Sequence, residues 1–392
     1  MKIGIYGGTF DPPHLGHMES ARAAMKILEL DRLLFLPAKQ PPHKDLAPQS
    51  ASPEERLDMV RLMADGLGPK VQACDLEFQR EGKSYTADTL RHLKEQYPED
   101  ELWLLMGTDM FLTLQNWREP EVITSLAGIA AFARTEDGCG EMMTIHGEFL
   151  REKFGAKVCI VQLPAIREVS STEIRDGKNW NALYPPVLGY ILLHHLYGTQ
   201  RDLTQLSDAE LRACSLSMVK AKRIRHILGT EEEAVRLAKR WGADENQARR
   251  AGILHDCTKY WSLEQYLDCC EKYGVELDEV ERRAEKLLHS KTGACVAKYV
   301  FGEPDEVYNA IFYHTTGREN MSLLEKILYI ADYMEPNRDF EGVEELRRLS
   351  YEDLDAAVLK GCEMSIADME EKGYIVHENT KRAREWLKGN RT

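Results

Sequence analysis

IGIYGGTFDPPHLGH, residues 3–17, decides the fold and the chemistry of the first half of this 392-residue chain. Its apolar start predicts a buried strand, which ends in the turn Gly7-Gly8. His14 and His17 follow, and a helix is predicted directly after them. Two histidines three residues apart at a helix start can face one spot, beside backbone N–H groups that favour an anion. The stretch therefore predicts a site for phosphate chemistry.

Each part of this stretch also has an ordinary structural explanation. A double glycine after a strand is often only a turn, and a histidine near a helix start is more often a cap or a surface residue than a catalyst. The strand, the glycines, Thr9, Asp11, two prolines and the H-x-G-H pair in fixed order are much harder to obtain by accident. We therefore interpret the whole stretch as functional.

The length and charge of the chain limit what it can be. A chain of 392 residues exceeds one ordinary core, which favours two or three domains. With 43% hydrophobic and 30% charged residues it is typical of a soluble globular protein. A net charge of −14 argues against nucleic-acid binding, because that requires a basic surface. An anionic substrate must therefore be held by local cations or by metal.

Cysteine usage and hydropathy indicate the compartment. The nine cysteines show no paired C-x-x-C framework, and an odd number suits reduced thiols. No signal peptide is visible at the start of the sequence. The longest central apolar stretch, VLGYILLHHLYG, is too short to span a bilayer. We expect a cytoplasmic protein with no membrane partner.

The first half alternates short apolar runs with helical periodicity. Strands separated by helices imply a doubly wound parallel sheet covered on both faces, with ligands at the carboxyl ends of the strands. The further runs predicted as strands are LLFLPA (33–38), LWLLMG (102–107), GIAAFAR (128–134) and VCIVQL (158–163), and the first two predicted helices cover 18–30 and 53–65.

The second half carries almost no strand signal after about residue 207, and we predict it to be all-helical. One helix is predicted over the stretch 209–229. Thr230 followed by three glutamates predicts the capped, acid-rich start of the next helix. The expected fold class is therefore α/β plus all-α, with domains over 1–198 and 199–392.

Further motifs stand at fixed places in the first half: PPHK ending at Lys44, SYTADTL from Ser84, GTDMF from Gly107 and EVSSTEIR over 168–175. Together with GGTFDPPHLGH, they make residues 1–197 resemble the H-x-G-H nucleotidyltransferases, and among these the bacterial nicotinate mononucleotide adenylyltransferases. The resemblance implies a Rossmann-like domain. It also implies transfer of AMP from ATP, with Mg²⁺, to nicotinate mononucleotide, giving deamido-NAD and pyrophosphate in NAD biosynthesis.

Adenylyl transfer needs mainly positioning and charge neutralisation. His14 and His17 are predicted to donate to the α-phosphate, and Lys44 and Arg175 to bind the triphosphate. The other expected nucleotide contacts are Gly7, Gly8, Thr9, Phe10, Gly107, Asp109, Ser171 and Thr172. The start of SSTEIR is equally explained by a capping box on Ser170 or Ser171. Asp109 could touch ribose or cap a helix.

The acceptor pocket is predicted less fully. The resemblance implies that Thr86, Trp117 and Arg134 contact the nicotinate nucleotide, with the indole stacking on the pyridine ring. A buried core role for Trp117 is an equal alternative. Arg118 and Thr135 depart from the family pattern, which leaves the preference between acid and amide open.

A second constellation of ligand-type residues lies in the helical half: His226, His255, Asp256, His289, His314 and Asp332. Any one of these alone is more often structural. The pair His255-Asp256, however, closes the apolar run AGIL, where an unpaired carboxylate is costly to bury. Four histidines and two acids suit one or two transition-metal ions, which can activate a water and stabilise oxygens at phosphorus.

This pattern with Lys259 resembles the HD-domain phosphohydrolases. The motifs KAKRIRH, AGILHDCTK, YHTTGR and ADYMEPNRDF, within about 207–380, resemble the symmetrical bis(5′-nucleosyl)-tetraphosphatases. The resemblance implies that the six residues bind iron or manganese, and that diadenosine tetraphosphate is cleaved to two ADP. Lys259, Thr315, Arg318 and Arg338 are the implied phosphate contacts, or else cations on solvated helix faces and in ion pairs.

Two alternatives remain open at the level of sequence. The helical half could be a nucleotide-sensing module without turnover, or the acceptor could be another phosphorylated metabolite such as phosphopantetheine or a sugar-alcohol phosphate. The expected partners are ATP, nicotinate mononucleotide and dinucleoside polyphosphates. The sequence does not indicate an oligomeric state.

Overall fold

The structure, a computed structural model, describes residues 1–41, 46–80, 82–134, 140–163 and 169–389, without the side chains of Arg134 and Arg283. The chain divides into two compact units, Met1–Thr199 and Gln200–Thr392. The first unit is a parallel sheet covered by helices, and the described part of the second is helical. The predicted fold class is confirmed.

Six parallel strands form the sheet of the first unit, in the order β3-β2-β1-β4-β5-β6. Because β1 pairs with both β2 and β4, the chain reverses its direction of winding there, and such a switch point opens a crevice at the carboxyl ends. The three-residue β3 escaped prediction because it carries no apolar run. The strands are β1 (Lys2–Gly8), β2 (Arg32–Pro37), β3 (Val71–Ala73), β4 (Glu101–Gly107), β5 (Ala127–Arg134) and β6 (Val158–Leu163).

The sheet is buried on both faces, which explains why its strands are near-continuous apolar runs. Along β1, Ile3 and Ile5 enter one core while Tyr6 enters the other. Along β4, Trp103 and Leu104 divide in the same way. The covering helices are α1 (Leu15–Ile27), α2 (Pro53–Asp65), α3 (Thr86–Gln96), α4 (Thr108–Leu112), α5 (Pro120–Leu126), α6 (Gly140–Phe154), α7 (Ser171–Arg175) and α8 (Pro185–Leu193).

The opening stretch differs in detail from its prediction. Gly7 and Gly8 continue β1 and still pair with β2, so the turn comes after them. Phe10 has a φ of 50° in that turn, and a Cβ on Gly8 would lie 2.9 Å from its ring. Helix α1 begins at Leu15 rather than at residue 18. The H-x-G-H pair therefore forms the start of the helix instead of preceding it.

The helices of the second unit are α9 (Asp208–Ser217), α10 (Ala221–Trp241), α11 (Glu245–Leu254), α12 (Leu263–Lys272), α13 (Glu279–Arg283), α14 (Glu285–Tyr299), α15 (Asp305–Tyr313), α16 (Leu323–Met334), α17 (Val343–Glu352), α18 (Leu354–Glu371) and α19 (Glu378–Gly389). No strand occurs in this unit within residues 200–389. Across the described ranges, no helix is both long and apolar enough to cross a bilayer.

Two helix boundaries in this unit were predicted wrongly. The stretch 209–229 is broken between α9 and α10. Thr230 does not cap a helix, because it lies fully buried in the middle of α10. The first glutamate that follows, Glu231, is buried and accepts a hydrogen bond from Arg212 Nε at 2.7 Å, which is a contact between distant segments. A local capping signal was therefore mistaken for a boundary.

A fully buried arginine fixes the loops at the carboxyl ends of β1 and β2. Arg56 on α2 donates from Nη1 to the carbonyl oxygens of Thr9 (2.8 Å) and Ala38 (2.7 Å). Its Nη2 donates to the Lys39 carbonyl at 3.1 Å. One side chain thus holds together the two loops that border the switch point.

We expect Arg56→Met to lower the free energy of unfolding by at least about 3 kcal/mol, because each buried carbonyl left without a donor costs about 1–3 kcal/mol. Arg61→Met on the same helix is the matched control, since that side chain is 55% exposed and its loss should change the free energy by less than about 0.5 kcal/mol. Urea denaturation measures both. Equal losses would contradict the role of Arg56.

Candidate functional site

A cavity of about 180 Å³ opens at the carboxyl ends of β1 and β4, where the strand order reverses. Six of the predicted nucleotide and acceptor contacts line it: Gly7, Gly8, Thr9, Thr86, Gly107 and Trp117. The predicted Phe10, Asp109, Ser171, Thr172, Arg175 and the two histidines are not in its wall. Lys44 lies outside the described residues, as does the side chain of Arg134.

The two histidines of the motif share the first turn of α1. His14 is the residue before the helix, and its backbone N–H donates to Nδ1 of His17 at 3.2 Å. The ring centroids are 3.8 Å apart. Since Nδ1 accepts, the proton of the neutral His17 ring lies on Nε2. Burial, and then the charge of His14, hold the pKa of His17 well below 6.5. His17 is therefore a neutral N–H donor beside the helix start.

The buried Asp11 organises the loop between the strand and the histidines. Its Oδ1 accepts from the Ala51 N–H at 3.1 Å and from the Tyr197 hydroxyl at 2.8 Å. The Arg175 guanidinium lies 3.5 Å from Oδ2 and donates to Thr172 Oγ1 at 3.1 Å. Arg175 and Thr172 are thus bound to each other and to the motif loop. Burial and the Asp11 carboxylate raise the pKa of Tyr197, which had no signal in the sequence.

Helix α7 starts with the capping box that was one of the two explanations of SSTEIR. Ser170 Oγ accepts from the Glu173 N–H at 3.1 Å, and the Glu173 carboxylate accepts from the Ser170 N–H at 3.1 Å. Ser171 donates to the Pro12 carbonyl at 2.9 Å. The hydrogen bond of Ser171 attaches this helix to the motif loop. A phosphate role for Ser171 stays a prediction.

Trp117 lines the cavity and packs on one of the two cores, which agrees with its core role and leaves stacking on a pyridine ring as a prediction. Arg118 lies over the Tyr85 ring, 4.6 Å from its centroid. Glu77, which sequence reasoning missed, also lines the wall, and burial raises its pKa. Asp109 is exposed in the first turn of α4, where Gly107 occupies the cap position, so it does not cap that helix.

In the second unit, all six predicted metal ligands converge. Their ligand atoms fall into two groups, within each of which the atoms lie within 4.8 Å of one another. The groups are His226, His255 and Asp332, and Asp256, His289 and His314. Helices α10, α14 and α16 and the carboxyl ends of α11 and α15 supply them. All except Asp332 are buried.

The imidazoles are held in one tautomer. Nδ1 of His255, His289 and His314 lies 2.8, 2.6 and 2.6 Å from the carbonyl oxygen three residues earlier in the chain. A carbonyl only accepts, so the proton of each ring lies on Nδ1 and the Nε2 lone pair faces the centre. This arrangement is typical of metal-binding histidines.

Ring nitrogens approach one another at short distance. The Nε2 lone pairs of His289 and His314 face each other at 3.2 Å, and the His226 and His255 Nε2 atoms are 3.1 Å apart. Burial lowers the pKa of His255, His289 and His314 to about 4, so these rings are neutral near pH 7. Burial also acts on His226, but hydrogen bonds to Asp332 and Glu335 raise its pKa. A bound cation would remove the repulsion, and the donor set fits transition metals.

Cations border this centre. Lys259 Nζ is 2.9 Å from Nε2 of His289, and Arg338 donates to Asp332 Oδ1 at 3.0 Å, as expected of residues near the ligands. Arg223, which was not predicted, contacts the Asp256 carboxylate. The sequence could have indicated Arg223, because it lies three residues before His226 and therefore on the same helix face.

The other two implied phosphate contacts are engaged elsewhere. Arg318 pairs with the buried Glu325, with Nε 3.0 Å from Oε2. Thr315 donates to Ser290 Oγ at 3.2 Å.

A third group, which was not predicted, joins His377 to Asp278 and Glu281. His377 Nε2 lies 3.1 Å from Asp278 Oδ2, and Lys291 Nζ lies 2.7 Å from Glu281 Oε1. Because an ammonium already pairs with Glu281, we interpret the group as an ion-pair network that connects the segment before α19 to α13.

The lowered pKa of His17 makes the stability of the first unit sensitive to acid. An unfolded histidine takes up a proton as the pH falls through 6.5, whereas folded His17 stays neutral. The contribution of His17 to folding stability is therefore complete above about pH 6.5 and is lost progressively as the pH falls below that value. We expect wild type to lose up to about 1.4 kcal/mol per pH unit more than His17→Gln between about pH 6.5 and pH 5.5. Denaturation at several pH values measures this.

The control for that measurement is His92→Gln, because the His92 side chain is 44% exposed. The free energy of unfolding of this variant should fall with pH in the same way as that of wild type. If the free energy of unfolding of His17→Gln also falls with pH as that of wild type does, the inference that folded His17 is neutral is wrong.

Comparison with known proteins identifies two family models in the chain. A cytidylyltransferase-like model matches residues 5–177, and an HD domain model matches residues 223–337. A protein of Exiguobacterium sibiricum named "Probable nicotinate-nucleotide adenylyltransferase" is 40% identical over 204 residues, 51% of this chain and 100% of that protein. A protein of the same name from Neisseria meningitidis serogroup A is 37% identical over 197 residues, 50% of this chain and 98% of that protein.

Among solved structures, a "predicted HD superfamily hydrolase involved in NAD metabolism" from Clostridium acetobutylicum is 42% identical. The match covers 47% of this chain and 98% of the Clostridium acetobutylicum chain, with a TM-score of 0.46.

Proposed function

We propose that this chain, which belongs to the nicotinate-nucleotide adenylyltransferase family, transfers AMP from ATP to nicotinate mononucleotide and releases deamido-NAD and pyrophosphate. The activity is assigned to the predicted domain 1–198. The observation that carries the proposal is the neutral His17 donor at the start of α1, on the motif loop that continues from the cavity wall at the switch point. The product is the dinucleotide precursor of NAD.

The geometry suits an in-line displacement at phosphorus. A phosphate oxygen of the mononucleotide attacks the α-phosphorus of ATP, the bond to the β-phosphate oxygen breaks, and pyrophosphate leaves with its electrons. Negative charge builds on the α-phosphate oxygens, toward which Nε2–H of His17 would donate. The free N–H groups of α1 add to this stabilisation. Mg²⁺ arriving with ATP would neutralise the triphosphate, together with Lys44.

The cavity suits the pyridine nucleotide. Trp117 offers an apolar face for stacking, and α3 begins at Thr86 in the cavity wall, where unpaired helix N–H groups favour a carboxylate. An acid acceptor is therefore preferred over an amide. The assignment of Thr86, Trp117 and Arg134 to the acceptor rests on this argument and on the motif.

For the domain 199–392 we propose a metal-dependent phosphohydrolase that cleaves diadenosine tetraphosphate symmetrically into two ADP. Its support is the pair of ligand groups joined by Asp256. Oδ1 of that carboxylate lies 3.1 Å from Nε2 of His289, and Oδ2 lies 3.6 Å from Nε2 of His226. One side chain thus faces both groups, as a bridging ligand would.

Bound iron or manganese would supply Lewis acidity and an activated water at this centre. The chain itself contributes the four histidines and two aspartates as ligands, and Lys259 and Arg338 would hold phosphate oxygens. All six ligand positions carry ligand-type residues with inward-facing atoms, which favours turnover over a sensing module.

The transferase is tested with His17→Ala. We expect pyrophosphate release from ATP and nicotinate mononucleotide to fall about 10²- to 10³-fold, because a donor to the developing charge is lost. Hydrolysis of diadenosine tetraphosphate should stay at the wild-type rate. Wild type should also prefer nicotinate mononucleotide over nicotinamide mononucleotide and phosphopantetheine, and the absence of that preference would refute the acceptor.

The hydrolase is tested with Asp256→Ala. Removing the ligand shared by both groups should lower hydrolysis of diadenosine tetraphosphate more than about 100-fold and lower the bound iron or manganese, measured by elemental analysis. Pyrophosphate release by the first unit should be unaffected. If both activities fall in each variant while the chain stays folded, the two-site model is wrong.

A further inference from the structure

Two lysines converge on one tyrosine at the start of α10. Nζ of Lys220 lies 5.1 Å from the centroid of the Tyr260 ring, and Nζ of Lys222 lies 5.7 Å from it. Both lysines are exposed. Within the described part of the chain, neither ammonium forms an ion pair with a carboxylate. A concentration of uncompensated positive charge is conspicuous in a chain with a net charge of −14.

The chain neighbours of this cluster contact ligands of the second unit on two elements. Lys222 precedes Arg223, which contacts the Asp256 carboxylate. Tyr260 follows Lys259, whose Nζ is 2.9 Å from Nε2 of His289. The cluster and the residues that contact the ligands are therefore next to each other in the chain on both α10 and the turn after α11.

The cluster is also held in place. The Tyr260 ring packs on a small apolar core made by Leu216, Val219 and Ile227. Cation–π attraction then orients both ammonium groups over a fixed ring. Helix α10 begins at Ala221, so the positive end of its dipole lies at the same place.

We infer that Lys220, Lys222 and Tyr260 form a distal phosphate subsite, which binds the part of a polyphosphate chain that is not being cleaved. The inference rests on the hydrolase function proposed above. A dinucleoside tetraphosphate places one phosphoryl group at the metal ligands and leaves further charged phosphates outside them. The two ammonium groups match that charge. Since they already face the Tyr260 ring, we assign the subsite to phosphate rather than to a stacked base.

The test uses the full chain loaded with Mn²⁺ and the double variant K220A/K222A. We expect its KM for diadenosine tetraphosphate to rise on the order of tenfold with kcat within about twofold, since each exposed ion pair changes affinity by up to about fivefold. Hydrolysis of bis(p-nitrophenyl) phosphate, which has one phosphate, should not change. The difference between variant and wild type should shrink as salt is raised.

Further variants separate binding from folding. Tyr260→Phe keeps the ring and should keep the wild-type KM, whereas Tyr260→Leu should raise it. Lys239→Ala is the matched control, because it removes an exposed lysine near the other end of the same helix, about 27 Å away. Metal content should be the same in all of these variants, and thermal unfolding should be the same in all except Tyr260→Leu, which loses part of a packed ring.

The outcomes are distinct for the two proposals. If wild type cleaves diadenosine tetraphosphate and K220A/K222A has an unchanged KM, the subsite is wrong and the hydrolase stands. If wild type cleaves none, the hydrolase is wrong, and binding of inorganic tripolyphosphate, measured by calorimetry, decides the subsite. The double variant must then bind it on the order of tenfold more weakly than Lys239→Ala does, and equal affinity overturns the inference.

Discussion

Burying an ionised carboxylate costs several kcal/mol unless charges and hydrogen bonds compensate, and this constraint shapes both units. Asp11 and Asp256 are each almost completely buried. Asp11 draws in a backbone N–H, a tyrosine hydroxyl and the Arg175 guanidinium, so three distant segments meet at the motif loop. Asp256 draws in Arg223, Lys259 and histidines from several helices. In both units, residues predicted to be functional gather where a buried carboxylate must be compensated.

The two carboxylates are compensated by different means. Every partner of Asp11 is a donor, so the network is complete with protein groups alone, and its task is to hold the loop and α7 together. The partners of Asp256 include imidazoles whose lone pairs point at one another, and that arrangement is complete only with cations. Electrostatics thus distinguishes a group that positions a loop from a group whose donors suit a metal ion.

The sequence predicted what local pattern and residue chemistry determine. Apolar runs located five of the six strands, and the six ligand-type residues singled out in the sequence lie in two clusters, with atoms of each cluster within 4.8 Å of one another. The failures have a common cause, because the roles of Arg56, Tyr197, Arg223 and Glu231 depend on contacts between distant segments. A buried arginine cannot be distinguished from a surface arginine by its neighbours in the chain. Thr230 shows the converse, since a valid capping pattern was overruled by tertiary burial.

The hydrogen bonds that orient the three histidines have a consequence for design. Each runs from Nδ1 to the carbonyl oxygen three residues earlier, within the same short segment as the histidine itself. The position of the ring proton is therefore encoded by one helical turn and does not need a separate partner from another part of the fold. Such a turn could be transferred to another helical scaffold, where it would supply an imidazole that carries its proton on Nδ1 and leaves the Nε2 lone pair for a metal ion.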